Sequence, residues 1–380
     1  IDLITETFPP EVNGVARTLE QLVSGLSDRG HRVGVVRPRQ RQETRTPEFT
    51  ADRLLVPGAP LPGYGRLRFG FYCRRSLARR WRHRQPDVVH VATEGPLGLA
   101  AIHAANRRRI PICSSFHTNF HSYGQFYGYG MLIRQALLYL RFVHNQTHRT
   151  LVPAPDTLET LRQQGFRNLA ILGRGVDTRL FSPSRRSQRL RRQWGVHESA
   201  PAVLYVGRLA AEKNIRLAIR AVLALRQRIP DTRFILVGDG PEEEELRRRY
   251  PDFEFSGVRT GVDLATHYAS GDLLVFPSVT ETFGNVVLEG MASGLAVVAF
   301  DYAAASLHIQ HDLNGVKAPL GESKRFIEQT FRLGREPSLW RDLGRAARLT
   351  ADRNSWTAVV EQFEDHLRVL SNGSGLARPG

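Results

Sequence analysis

The chain has 380 residues, with 53 Lys and Arg against 37 Asp and Glu, a formal net charge of +16. That length predicts two domains, and an apolar share of 41% is enough to give each a buried core. Cys73 and Cys113 are too few for a disulfide framework and fit a reducing compartment, no run of about 18 apolar residues offers a membrane span, and neither a Cys/His metal spacing nor an Asp-x-Asp pair occurs.

Residues 1–4 read as a first strand. They lie inside an apolar run with no basic-then-apolar leader, so a few native residues are expected in front of them. A loop to Gly14 follows, then a helix with Val15, Leu19, Leu22, Val23 and Leu26 at helical spacing, stopped by Gly30. Strand, glycine-bearing loop and helix make a turn that can face phosphate, with Gly14 permitting close backbone approach; the plainer reading is a connector. Residues 31–37 and 53–56 read as strands, and the polar segment 39–50 as a mobile loop.

The stretch RLRFGFYCRRSLARRWRHR, residues 66–84, holds eight arginines and no acid, interleaved with Phe69, Phe71, Tyr72 and Trp81. As a helix it carries an apolar and a basic face, suited to an anionic membrane surface, with Arg74, Arg75, Arg79, Arg80 and Trp81 as the expected contacts. A solvated helix capping the sheet is an equal reading, and nucleic-acid binding a weaker one, since no nucleic-acid module accompanies the charge. Strands at 87–91 and 110–116 flank a helix at 96–109. The second delivers His117 beyond its carboxyl end, where open α/β sheets bind ligands, so His117 is expected to meet a sugar hydroxyl or phosphate oxygen or else to satisfy loop backbone. The aromatic, glycine-rich 123–129, with Tyr123 and Tyr127, is a candidate for an acceptor pocket, and the apolar helix 131–143 either packs in the core or forms part of such a pocket touching lipid. Strands at 150–153 and 168–172 with a helix at 156–164 close this half, whose strand ends show no convincing carboxylate pair.

The predicted boundary falls near residue 178, after Arg174-Gly175-Val176-Asp177, and the charged segment 182–192 separates the halves. A second βαβ series starts at Pro201. Its first strand, 203–206, runs into Gly207-Arg208-Leu209-Ala210-Ala211-Glu212-Lys213-Asn214, and a helix follows. Arg208 and Lys213 flank the strand's carboxyl end as a diphosphate clamp, able to stabilise a leaving nucleoside diphosphate without a metal. Only Lys213, Lys317 and Lys324 are lysines in a chain that otherwise uses arginine, which singles out Lys213. The turn at Gly238–Gly240 is a poor phosphate site because Glu242–Glu245 already crowd the next helix start. Strand 253–255 leads to Gly257 and Val258, which face a nucleobase in this reading. The apolar run 273–276 ends at Pro277, and SVTETFGNVVLEGMASG at 278–294 supplies Glu281, a glycine turn at Gly284 and a helix carrying Glu289. Free N–H groups and a dipole end point at one place, and two carboxylates frame it, each able to accept a pair of sugar hydroxyls. The plainer reading is an ordinary strand–helix unit with exposed acids.

The combination resembles the retaining glycosyltransferases of the GT-B fold, family 4, across residues 1 to 370. GRLAAEKN at 207–214 and ETFGNVVLE at 281–289, the family's Glu-x7-Glu motif, carry it most specifically. FPPEVNGVARTLEQL at 8–22 and SFHTNFHSYG at 115–124 are closest to the branch that glycosylates membrane lipids, which includes mannosyl-, glucosyl- and sulfoquinovosyl-transferases. The resemblance implies two Rossmann-like domains facing each other across a cleft: 1–177 on the acceptor side, 178–355 on the donor side, and a helix in 356–380 crossing back to the first. It implies a hexosyltransferase that takes GDP-mannose or a UDP-hexose, retains anomeric configuration by same-face attack, needs no metal or other cofactor, and works at the inner face of the cell membrane without nucleic acid.

The same resemblance places Arg208 and Lys213 on the diphosphate, beside Gly207. Glu289 falls on the ribose, Glu281 on the donor hexose, and Phe283, Gly284, Asn285 and Val286 on sugar and phosphate. Gly257 and Val258 fall at the base, Gly14 at the diphosphate and His117 at the donor sugar. Relatives often carry two glycines where this chain has Asn13-Gly14. A polysaccharide or small-glycoside acceptor, a same-fold 2-epimerase, a pyridoxal-phosphate phosphorylase and a non-catalytic binder of anionic membrane or nucleic acid are the competing readings.

Overall fold

The computed structural model describes residues 1–9, 11, 14–40, 52–61, 64–117, 130–196, 200–281 and 283–373. The chain divides into two units, Ile1–Gly173 with Trp356–Gly380, and Arg174–Ser355.

In the first unit the elements alternate as β1 (Asp2–Ile4), α1 (Gly14–Asp28), β2 (Gly34–Pro38), β3 (Asp52–Val56), β4 (Gly58–Leu61), β5 (Tyr64–Gly70), α2 (Arg74–His83), β6 (Val89–Val91), α3 (Pro96–Arg108), β7 (Ile112–Ser115), α4 (Gly130–His144), β8 (Arg149–Val152), α5 (Pro155–Gln163) and β9 (Leu169–Ile171). Among the described residues the main sheet has seven parallel strands in the order β3-β2-β1-β6-β7-β8-β9. Such a sheet is covered on both faces, which buries β1, β6 and β7 along their whole length, polar His90, Ser114 and Ser115 included. Leu19, Leu22, Val23 and Leu26 of α1 pack against one face, and Leu77 and Trp81 of α2 belong to the cluster on the other, with Ala100, Ala101 and Ala104 of α3.

Residues 66–84 are not one helix. The chain runs through 70 as β5, paired antiparallel with β4, and turns helical only at Arg74. The alternation Arg66-Leu67-Arg68-Phe69 is a strand period, and Gly70 ends it. The helix that remains is also not all membrane-facing. Trp81 is 1% exposed and donates its indole N–H to Asp2 Oδ2 at 2.7 Å, and Arg80 Nε holds the same oxygen at 2.9 Å. These two therefore anchor α2 to β1, correcting their expected place at a membrane. The segment 39–50 and Tyr123 and Tyr127 lie wholly or largely outside the described residues.

The second unit contains α6 (Gln188–Gln193), β10 (Ala202–Val206), α7 (Ile215–Arg226), β11 (Arg233–Val237), α8 (Glu243–Arg249), β12 (Glu254–Gly257), α9 (Gly261–Ser270), β13 (Leu273–Phe276), α10 (Asn285–Ala292), β14 (Ala296–Phe300), α11 (Ala303–His308), β15 (Val316–Ala318), α12 (Ser323–Gly334) and α13 (Pro337–Arg353). Its described parallel sheet has six strands in the order β12-β11-β10-β13-β14-β15. The segment 182–192, expected to be a separator, is part of this unit. Arg191 of α6 is buried and bonds Ser270 O at 2.8 Å and Asp272 Oδ2 at 3.1 Å.

The last helix, α14 (Trp356–Ser371), belongs to the first unit. Val359, Val360, Phe363, Leu367 and Leu370 recur at three- and four-residue steps and join the α1 cluster. Gly25 makes room for them, since a Cβ there would lie 2.5 Å from Val360. Glu364 on the same helix is buried but bonded to His31 at 2.7 Å, Arg29 and Arg368, which holds its carboxyl down at about 2.

Candidate active site

The expected donor-side residues come together at the carboxyl ends of β10, β11, β12 and β13 in the second unit. After β10 the chain turns at Gly207, whose N–H donates to Val237 O at 2.9 Å. Gly238 (φ +136°) lies against it, and a Cβ there would sit 2.0 Å from Gly207 O. Leu209 N–H donates to Asp239 O at 2.7 Å, and Gly238 N–H to Gly257 O at 2.9 Å. Backbone contacts thus join the loops after β10, β11 and β12, and no side chain fits between the first two.

The loop after β10 is also tied to the loop after β13. Thr280 Oγ1 donates to Glu212 O at 2.9 Å, and Asn214 Nδ2 to Pro277 O at 3.3 Å. Lys213 Nζ reaches across to Glu281 Oε1 at 2.6 Å and Thr280 O at 3.3 Å. Ser278 Oγ donates to the same Glu281 oxygen at 2.7 Å, and Tyr302 OH to the Glu281 carbonyl at 2.9 Å. Lys213 and Glu281 are 22% and 16% exposed, so their pair is only partly screened by water. Arg208 behaves differently. It is 62% exposed and meets Glu212, four residues on along the loop, at 3.2 Å.

Gly284 (φ +88°) bends the chain into α10, in the left-handed region that a glycine enters without strain. Asn285 opens the helix, and its Oδ1 is buried with no hydrogen-bond partner among the described residues. Val286 is half-buried behind it. Phe283 is a core residue, 1% exposed, and its carbonyl accepts from Ala304 N–H at 2.7 Å. One turn into the helix, Glu289 Oε2 accepts the Tyr268 hydroxyl at 2.8 Å. Burial and the Glu289 carboxylate push the Tyr268 phenol well above its ordinary value, so it stays a donor. Gly257 (φ +69°) ends β12, and Val258 beside it is 61% exposed.

Gly14 and His117 lie in the first unit. Gly14 is exposed at the start of α1, and His117 follows β7. This unit also holds the carboxylates that sequence reading did not find at its strand ends. Glu6, after β1, sits at the N-terminus of α3, with Leu97 N–H donating to its Oε1 at 3.4 Å. Burial, opposed by the Leu97 and Gly70 amides and reinforced by Glu94, pushes its carboxyl up to about 7. Glu94, after β6, pairs with His144 Nε2 at 3.1 Å. Arg174, at the head of the second unit, is a further missed residue. It is 8% exposed, its guanidinium carbon lies 5.8 Å from the centre of the Phe283 ring, and burial draws its pKa down to about 10 against the pull of Glu281.

Two parallel-sheet units, one with cations and carboxylates gathered around a glycine-bent helix start, define an α/β enzyme of the nucleotide-handling type. A model described as Glycosyltransferase Family 4 matches residues 12–180, and one described as Glycosyl transferases group 1 matches residues 200–335. A GDP-mannose-dependent alpha-mannosyltransferase of Mycobacterium tuberculosis is 34% identical over 97% of this chain and 96% of its own. An alpha-monoglucosyldiacylglycerol synthase of Streptococcus pneumoniae is 27% identical over 79% and 70%. Sucrose-phosphate synthase from Thermosynechococcus elongatus shares the fold, with a TM-score of 0.76 at 19% identity, covering 98% and 99% of the two chains. The chain belongs to glycosyltransferase family 4.

Proposed function

We propose that the protein moves a hexose, mannose first among them, from a nucleoside diphosphate to a hydroxyl of a membrane glycolipid. The full-length likeness to a GDP-mannose-dependent alpha-mannosyltransferase supports the donor, and the likeness to a monoglucosyldiacylglycerol synthase supports a lipid acceptor. The observation that carries the reading is the junction of Lys213, Ser278 and Glu281 beside the α10 start. It puts a cation where a diphosphate needs one and a hydrogen-bonded carboxylate where a hexose needs one.

In this reading Arg208 and Lys213 take the charge that grows on the departing diphosphate, without a metal. The acceptor hydroxyl attacks on the face that the diphosphate leaves, the diphosphate takes its proton, and configuration is retained. Glu281 orients the hexose. Glu289, itself oriented by Tyr268, accepts the ribose hydroxyls, and Gly257 and Val258 border the base. Gly14 and His117 keep their proposed parts toward diphosphate and sugar.

The membrane part of the proposal rests on the first unit. Arg74, Arg75, Arg107 and Arg108 line a groove of about 600 Å³ between α2 and α3. Phe71 and Tyr72 stand 47% and 48% exposed just before α2. Cations with exposed aromatics suit the headgroup region of the cytoplasmic leaflet, and among the described residues no helix is long and apolar enough to cross a membrane.

The test is calorimetric titration with GDP and UDP, with and without magnesium, followed by transfer assays on glycolipid acceptors and NMR of the product's anomeric proton. Binding of one nucleotide regardless of magnesium, with an α-linked product from an α-linked donor, is expected. Binding of neither, or inversion, overturns the reading.

A further inference from the structure

Arg174 and Arg191 are each 8% exposed, and the second unit treats them differently. Arg191 spends its guanidinium on Ser270 O and on the Asp272 carboxylate. Among the described residues the Arg174 guanidinium has no hydrogen bond and no ion pair at contact distance. The Phe283 ring lies under it at 5.8 Å, a cation–π contact that leaves the planar fork of N–H donors unused. The carboxylate that acts on it through space, Glu281, is held at short range by Lys213 and Ser278. A buried cation with unused donors is destabilising, so a fold that keeps one gains from it elsewhere.

The position indicates where. Arg174 lies over Phe283 and acts through space on Glu281, residues of the loop that opens α10, and among the described residues the buried Asn285 Oδ1 at that helix start has no hydrogen-bond partner. Two polar groups without partners thus flank one turn, beside the lysine assigned to a diphosphate. Main-chain contacts fix the place of Arg174: two residues on, Val176 N–H donates to Asn354 O at 3.1 Å. We propose that Arg174 is a donor-binding residue whose guanidinium takes an oxyanion of the sugar nucleotide's diphosphate. The inference rests on the transferase reading above. A guanidinium suits the task because it offers two parallel N–H bonds to a phosphate, and it remains charged at neutral pH despite burial.

The experiment compares the whole wild-type chain with Arg174→Met and Arg174→Lys, titrated with GDP, UDP and the two parent nucleosides. For whichever diphosphate binds wild type, Arg174→Met is expected to lose at least about 10-fold in affinity, while the nucleoside shifts less than about 2-fold. Arg174→Lys, which keeps the charge and loses the fork, is expected to fall between, and it carries the test if the methionine variant does not fold. Equal diphosphate affinity in the folded variant and wild type overturns the inference and leaves the transferase reading standing. A parallel loss for diphosphate and nucleoside also overturns it, since that marks a packing role. Wild type that binds neither diphosphate removes the transferase reading itself, and this inference with it.

Discussion

Lys213 and Glu281, assigned to different parts of the donor, are bonded to each other, Nζ to Oε1, at 2.6 Å. The two charges thereby neutralise each other, and in the proposed reading a donor exchanges this contact for its own phosphate and hydroxyls. A double-mutant cycle of Lys213→Ala and Glu281→Ala, read by denaturant unfolding, is expected to give a coupling of about 1–2 kcal/mol, more than an exposed pair yields. Lys213→Ala alone is expected to lower transfer at least about 100-fold while the protein stays folded, and the same is expected of Glu289→Ala. Near-normal turnover in both would remove the site assignment.

Tyr268 donates its hydroxyl to Glu289 and touches no proposed substrate position directly. Removing that hydroxyl leaves Glu289 charged but less well aimed. Tyr268→Phe is expected to weaken nucleotide affinity about 3- to 10-fold, the net worth of one ordinary hydrogen bond, because the tyrosine acts on the nucleotide only through Glu289. Transfer at saturating donor should change less. A calorimetric affinity equal to wild type would show that the tyrosine does not orient Glu289.

Glu6 gives the first unit a pH signature. Its folded pKa of about 7 lies above the ordinary 4.5 of the unfolded chain, so the native state holds a proton that the unfolded state releases. Its contribution is therefore fully favourable below about pH 4.5, and is lost as pH rises toward and through 7. Glu6→Gln, which mimics the protonated form, is expected to unfold at nearly the wild-type temperature at pH 5 and several degrees higher at pH 8. A temperature difference that does not grow with pH would contradict the assignment.

On α2 the arginines divide by function. Arg75 and Arg79 are exposed, whereas Arg80 is tied to Asp2 at 2.9 Å and to Asp52 at 3.0 Å. Arg75→Glu with Arg79→Glu is expected to cut binding to vesicles rich in phosphatidylglycerol at least about 10-fold, by roughly 1 kcal/mol for each cation lost and more on reversal, with the unfolding temperature unchanged. Trp81→Ala is expected to cost about 3–5 kcal/mol of stability, because it empties a fully buried site and strips a hydrogen bond from Asp2. Unchanged vesicle binding would take α2 out of the membrane proposal.

What could be read from the sequence was what local pattern encodes. The run Leu273–Phe276, the break at Pro277 and the turn at Gly284 state a buried strand, a loop and a helix start in consecutive residues, and the structure has all three. In residues 66–84 composition hides the period: arginines and aromatics continue across Gly70, while the alternation does not. Glu6 and Arg174 were invisible for another reason. Nothing in their neighbours' identities announces them. Glu6 owes its behaviour to α3, some 90 residues on, and Arg174 to Phe283 and Glu281, more than 100 residues away. Burial made by distant parts of the chain has no local signature.

The helix that ends the described chain bears on how such enzymes can be recombined. Because Val359, Val360, Phe363 and Leu367 complete the core beside α1, a gene fragment stopping near residue 173 would encode half a sheet protein with an open wound. A chimera that borrows the second unit from a relative, to change the nucleotide it is proposed to read, therefore has two splice points to respect, one before Arg174 and one after Ser355. The inserted piece behaves as a cassette within the host's first unit, and the host supplies both of its flanks.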